Sequence, residues 1–154
     1  MRALLLVALL ASTATAEVKV ETLAAQSAVT RTIRVSPAKL AAAMQQAILG
    51  LVATTEGVSG PPFARYVSRG EIYVVEVGLP TKTGKAVLPS GPAAVALFRG
   101  PHAKLDAAHA ELDAWLVANK RKAAGPRWEV YVTNPITTPD PAAQVTRVYA
   151  PLAK

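Results

Sequence analysis

The chain has 154 residues, of which 51% are hydrophobic and 18% charged, and it carries a formal net charge of +7 and no cysteine. This length suits one domain with a real core, and the absence of cysteine excludes disulfides, so packing has to supply the stability. The basic residues are scattered, and their only run, residues 120–122, closes a predicted helix, where cations offset the helix dipole. We therefore expect a solvated basic surface and no nucleic-acid partner.

The first sixteen residues have the three-part pattern of a secretory signal peptide. One positive charge at Arg2 precedes an apolar run over residues 3–11, and Ala14-Thr15-Ala16 supplies the small residues at which cleavage occurs. The apolar run is too short to cross a bilayer as a helix, so we expect no stable membrane insertion. The sequence thus predicts a signal peptide over residues 1–16, a mature domain over residues 17–154 and a periplasmic or secreted location.

Two helices are predicted in the mature chain. The first begins at Pro37 and ends near Val52, and the second begins at Pro101 and is stopped by Gly125-Pro126. Apolar side chains at helical spacing give each helix one stripe that should be buried. These residues are Leu40, Met44, Ala47, Ile48 and Leu51 in the first helix, and Leu105, Ala108, Leu112, Trp115 and Leu116 in the second.

Segments rich in β-branched and aromatic residues predict strands around these helices. The predicted strands are residues 18–35 (as one or two strands), 63–68, 71–77, 93–98, 128–133 and 145–152, with residues 78–85 as a loop. Arg69-Gly70 is predicted to form a tight hairpin turn.

The predicted elements repeat along the chain. Pro101 follows Pro37 by 64 residues, and the segment that starts at Gly125 follows a similar one at Gly60 by 65 residues. Two strand–helix–strand–strand units in tandem indicate an α+β domain of pseudo-twofold βαββ repeats, with antiparallel sheets, two helices and a central groove.

Alternation along the strands predicts what lines that groove. Tyr66 and Ala64 share one face of their strand, and Tyr131 and Glu129 share the corresponding face in the second repeat. Trp128, Val130 and Val132 are then expected to pack against the helices. An apolar, aromatic cleft with few polar groups is typical of a small-molecule site. A desolvated Glu129 needs a partner, and either a cationic ligand or a nearby arginine would serve.

Seven short motifs follow one another along the chain, at residues 60–66 (GPPFARY), 75–80 (VEVGLP), 88–91 (LPSG), 100–101 (GP), 112–116 (LDAWL), 128–135 (WEVYVTNP) and 139–141 (PDP). In this order they resemble the motifs of the GyrI-like small-molecule-binding family, also known as the AraC-type effector-binding domain. The resemblance implies a tandem βαββ fold with an aromatic groove and a buried glutamate, whose position Glu129 matches. It also implies an alternative enzymatic activity, the hydrolysis of cyclopropane-type compounds.

The resemblance and the strand pattern together predict the ligand-binding residues Glu129, Tyr131, Tyr66, Phe63, Glu76 and Arg147. The chain departs from the family pattern at His102, where tyrosine is usual, and at Arg147, where an acid is usual. An arginine there could neutralise Glu129 or Glu76, which favours a neutral or anionic amphipathic ligand over a cationic one. His102 and His109 lie seven residues apart, a spacing unsuited to a metal pair, so both are predicted to be routine surface or boundary residues.

These patterns favour a stand-alone exported protein that binds an amphipathic or aromatic organic compound without turnover and needs no metal or cofactor. A homodimer is compatible with the sequence. A hydrolase with Glu129 as general base or transition-state stabiliser and Tyr66 or Tyr131 as acid is the main alternative. An interaction protein that binds an envelope component in the groove is a further alternative, and related tandem folds leave haem binding open.

Overall fold

The computed structural model describes residues 16–154, so the predicted signal peptide lies outside the described residues except for Ala16. Over this range the chain forms the strands β1 Glu17–Leu23, β2 Gln26–Val35, β3 Phe63–Ser68, β4 Tyr73–Pro80, β5 Ala86–Leu88, β6 Gly91–Arg99, β7 Trp128–Tyr131 and β8 Val145–Pro151. The helices are α1 Leu40–Thr54 and α2 Asp106–Ala118. A short 3₁₀ turn precedes each helix, over Pro37–Lys39 and His102–Lys104.

The strands form one antiparallel sheet with the order β1-β6-β8-β7-β3-β4-β2-β5. The units β2-α1-β3-β4 and β6-α2-β7-β8 occupy equivalent places on either side of the β3–β7 pair. Ala64 of β3 lies opposite Glu129 of β7 at the centre of this pair. The predicted α+β fold with two βαββ repeats is therefore confirmed, and Glu129 lies at the pseudo-twofold axis.

The sheet curls because its ends are joined by a short connection. β1 is one edge strand and β2 lies next to the other edge, yet only Ala24 and Ala25 separate them in the chain. Two residues span at most about 10 Å, so the two ends of the sheet must approach each other. The face without helices is enclosed by this curl.

The segment 18–35 divides into β1 and β2, as the prediction of one or two strands allowed, but the ends of β4 and β7 differ from the prediction. β4 continues to Pro80 where a loop was predicted from residue 78. Pairing with β2 extends β4, since Ala28 lies opposite Pro80. In β7 the ladder ends at Tyr131, and the Thr133 hydroxyl then accepts a hydrogen bond from the Val145 amide.

The two faces of the sheet carry separate apolar clusters. The helix face packs Leu112 and Leu51 from the helices against strand residues such as Val77 and Tyr131. The opposite face holds a smaller cluster that includes Phe63, Trp128 and Tyr149, with Val130 packed against it. Val132 lies beside Trp128 and Val130 on this opposite face, so the expectation that these three residues face the helices was wrong. Alternation determines which residues share a face, but it does not determine which face the helices cover.

Gly78 lies beneath the ring of Phe63, and this contact leads to a prediction about stability. A Cβ at position 78 would come within 2.4 Å of Phe63 Cζ, and the ring is fully buried. We expect Gly78→Ala to lower the free energy of unfolding by about 2 kcal/mol, as overpacked core substitutions do. Chemical denaturation measures this, and Gly70→Ala is the control because nothing lies within 4 Å of its added Cβ. Equal stability of the two variants would contradict the close packing described here.

Candidate functional site

The centre of the helix face holds one buried carboxylate. Glu129 lies in β7, where alternation points its side chain to the same face as Tyr131, and it is only 3% exposed. Tyr66 reaches the same point from β3. The helices α1 and α2 pack on the outer strands of the two repeats, so the central strands β3 and β7 form the floor between them.

Three side chains donate hydrogen bonds to Glu129. The hydroxyl of Tyr131 lies 2.6 Å from Oε2, and the hydroxyl of Tyr66 lies 3.1 Å from the same oxygen. Nε2 of His109 lies 2.7 Å from Oε1. An ionised carboxylate only accepts hydrogen bonds, so His109 must carry its proton on Nε2. Both carboxylate oxygens are therefore satisfied by the protein itself.

This network sets the protonation of the cluster. Burial acts to raise the pKa of Glu129, but the hydrogen bonds from His109, Tyr131 and Tyr66 and the charge of His109 outweigh it, and the pKa is lowered. Burial, and then the negative charge of Glu129, raises the pKa of both Tyr66 and Tyr131. Glu129 is therefore a carboxylate at neutral pH, and the two tyrosines keep the protons with which they hold it.

His109 corrects the prediction of a routine surface or boundary residue. It lies on α2 with 7% of its surface exposed, between Leu105 and Leu112 on the buried side of the helix. Arg127 donates a hydrogen bond to the His109 carbonyl and forms an ion pair with Asp113 one turn further on, which ties α2 to the segment before β7. His109 lies four residues after Leu105 and three before Leu112, and so it falls on the apolar stripe of the helix. This spacing was the feature of the sequence that indicated burial.

Arg69 was predicted only as part of a turn, yet its side chain enters the same cluster. The guanidinium carbon lies 4.0 Å from the centre of the Tyr66 ring and 6.0 Å from that of Tyr73, and Nη2 lies 3.9 Å from Glu129 Oε1. A β-bulge between Tyr66 and Ser68 explains this direction, because an extra residue reverses the alternation and turns Arg69 to the helix face.

His102 also lies at the cluster. Its ring is 5.1 Å from the Tyr131 ring, and its Nε2 is buried with no hydrogen-bond partner among residues 16–154. Burial lowers the pKa of His102 despite the opposing effect of Glu129, so the imidazole is neutral at pH 7. An aromatic side chain thus occupies the position at which the family usually has tyrosine.

The other three predicted ligand-binding residues do not join this cluster. Phe63 is buried in the apolar cluster of the opposite face. Glu76 forms an ion pair with Arg65, its partner across β3 and β4. Arg147 forms an ion pair with Glu21, and it cannot neutralise Glu129 because it lies opposite Val130, on the other face of the sheet.

A depression of about 370 Å³ lies on the face without helices. Trp128 and Tyr149 line it as a parallel stack with ring centres 5.1 Å apart, and Arg147 lies at its side. Within residues 16–154 there is no group of three or more metal-ligating side chains, and no helix of this range has the length and apolar character needed to span a membrane.

The family model of the GyrI-like small molecule binding domain matches residues 16–153, and the chain belongs to this family. Its fold is similar to that of the EcmrR C-terminal domain, with a TM-score of 0.74, 17% identity, and coverage of 90% of this chain and 98% of the other. In the structure of EcmrR bound to DNA the TM-score is 0.76 at 15% identity. The match covers 90% of this chain but only 58% of the EcmrR chain.

Two further solved structures share the fold. A hydrolase from Listeria innocua has a TM-score of 0.63 at 10% identity, with 92% of this chain and 94% of the other covered. SAV2435, solved in complex with tetraphenylphosphonium, has a TM-score of 0.57 at 12% identity, with coverage of 89% and 94%. Identities this low establish the shared fold alone. Among curated proteins, none matches the chain in sequence.

Proposed function

We propose that this protein is an exported binding protein that holds an amphipathic or aromatic organic ligand between its two βαββ halves, over Glu129. Membership of a small-molecule-binding family supports the binding of an organic compound. The signal-peptide pattern of residues 1–16 supports export.

The observation that carries the proposal is a buried carboxylate at the pseudo-twofold axis, surrounded by aromatic rings. Tyr66 meets the Tyr73 ring edge to face at 6.5 Å, and the His102 ring packs on Tyr131 at 5.1 Å. Aromatic faces supply apolar contact area with defined geometry, and a single polar group fixes orientation, which is the usual composition of a ligand site. The complex of SAV2435 with tetraphenylphosphonium, a bulky aromatic compound, agrees with this class of ligand.

Hydrolysis is the second candidate, since Glu129, His109 and two tyrosines form a cluster of proton donors and acceptors, and a relative of the same fold is a hydrolase. The electrostatics favour binding over catalysis. An effective general base at neutral pH needs a pKa near 7, whereas that of Glu129 is lowered. The raised pKa values of Tyr66 and Tyr131 make them weak acids.

Native mass spectrometry of the protein purified gently from its own cell envelope tests the proposal. We expect a discrete added mass on the wild-type protein, which should be lost or weakened about tenfold in Tyr66→Ala because one aromatic contact is worth about 1–1.5 kcal/mol. Tyr149→Ala is the matched control, since Tyr149 lies on the opposite face. A ligand retained by Tyr66→Ala and lost by Tyr149→Ala would place the site on the opposite face. Conversion of the bound compound by the wild type but not by Tyr66→Ala would favour the hydrolase.

A further inference from the structure

Arg69 makes the contacts that a cationic ligand would make at the Glu129 cluster. Its guanidinium lies over the faces of Tyr66 and Tyr73 and within 3.9 Å of the Glu129 carboxylate. Aromatic faces and a carboxylate are together the groups that recognise an organic cation. The protein therefore fills this position with a side chain of its own.

The exposure of the two charges decides which one a ligand meets. The side chain of Glu129 is 3% exposed and its oxygens already accept three hydrogen bonds, whereas that of Arg69 is 37% exposed. An incoming ligand consequently contacts the guanidinium before the carboxylate. An arginine presents several donors in a plane and retains its charge at all physiological pH values, so it attracts an anionic group and repels a cationic one.

We propose that Arg69 determines the charge of the ligand, so that the site over Glu129 takes aromatic anions and admits an aromatic cation only when the guanidinium is displaced. This inference rests on the proposed function, because it concerns the same site. It differs from the prediction made for Arg147, which lies on the other face of the sheet and pairs with Glu21. The bulge after Tyr66 is what makes Arg69 available for this role.

A pair of probes with nearly equal shape and opposite charge tests the inference. Tetraphenylborate and tetraphenylphosphonium are titrated into the wild-type protein and into Arg69→Gln by isothermal calorimetry. We expect the wild type to bind the borate roughly tenfold more tightly than the phosphonium, and Arg69→Gln to reverse or abolish this preference. The partly exposed guanidinium attracts one ion and repels the other, and each such charge contact changes affinity by roughly two- to fivefold.

Two control variants separate a local effect from a general one. Arg121→Gln removes the same charge from the exposed segment after α2 and should leave the ratio of the two affinities unchanged. Arg69→Lys keeps the charge and should retain the preference for the borate. It also provides a folded comparison if glutamine at position 69 disturbs the hairpin.

The outcomes distinguish this inference from the proposed function. If both ions bind in competition with each other and the ratio of affinities is the same in wild type and Arg69→Gln, then the inference is wrong and the binding function remains. A change in Arg121→Gln equal to that in Arg69→Gln would also overturn it, because the effect would be one of net charge. If neither ion binds to any variant, both the inference and the proposed aromatic cleft fail.

Discussion

Glu129→Gln is expected to lower the free energy of unfolding at pH 7 by about 2–3 kcal/mol. Glutamine has nearly the same shape as glutamate, but it replaces a charged acceptor of three hydrogen bonds with a neutral group whose amide nitrogen cannot accept from a donor. Hydrogen bonds to charged groups contribute about 1.5–3 kcal/mol each, and a buried donor left without a partner adds a further penalty. The contacts affected are those from His109, Tyr66 and Tyr131.

The same substitution should change how stability depends on pH. The pKa of Glu129 in the folded protein is lowered from the value of 4.5 that an unperturbed glutamate has. A lowered pKa stabilises the folded state fully above pH 4.5, and this contribution is lost as the pH falls through the folded pKa. The wild type should therefore lose stability in acid more steeply than Glu129→Gln, and the difference between the two should shrink below pH 4.5.

Urea denaturation at a series of pH values from 7 down to 3 measures both effects. Glu76→Gln is a suitable control, because Glu76 is a half-buried carboxylate of the same sheet that pairs with Arg65 outside the cluster. Parallel curves for the wild type and Glu129→Gln over the acid range would contradict the assignment of Glu129 as a stabilised carboxylate.

His109→Ala is expected to lower the free energy of unfolding by about 3–5 kcal/mol. Removing a hydrogen-bond donor from a buried carboxylate leaves that charge without compensation, which is strongly destabilising. Glu129 Oε1 would lose its only hydrogen bond among residues 16–154, and Arg69, at 3.9 Å, offers only a distant charge. A cavity beside Leu112 adds to the cost.

Two further substitutions on α2 provide the comparison for this loss of stability. His109→Gln can present an amide donor to Glu129 and should recover part of the lost stability. Val117→Ala, on the same helix with 80% of its surface exposed, should change stability by less than about 0.5 kcal/mol. If His109→Ala were no less stable than Val117→Ala, the contact between His109 and Glu129 would have no structural role.

The fold was largely predictable because it depends on local patterns. The proline at the start of each helix, the apolar stripes and the repeat with offsets of 64 and 65 residues determined two βαββ units and their relation. The same alternation correctly grouped Tyr66 with Ala64 and Glu129 with Tyr131, and the predicted groove residues Glu129, Tyr66 and Tyr131 do lie together. Strand ends were less predictable, since pairing with β2 decides where β4 stops.

The candidate site was only partly predictable. Phe63 and Glu76 were grouped with Glu129 on the basis of family motifs, and a motif contains residues of both faces of a strand. Arg147 was added because it stands where the family usually has an acid, which says nothing about the face on which it lies. Arg65 opposite Glu76 and Glu21 beside Arg147 provide partners that no spacing in the sequence indicates.

The sequence by itself therefore determined the class of fold, the repeat and the residues that share a face, because these follow from periodicities of two and 3.6 residues along the chain. Only the tertiary structure decided which face the helices cover, since that depends on how the sheet curls. It also decided that His109 and Arg69 reach Glu129. The first contact depends on where α2 docks, and the second on a single bulged residue near the end of β3 that turns Arg69 to the helix face.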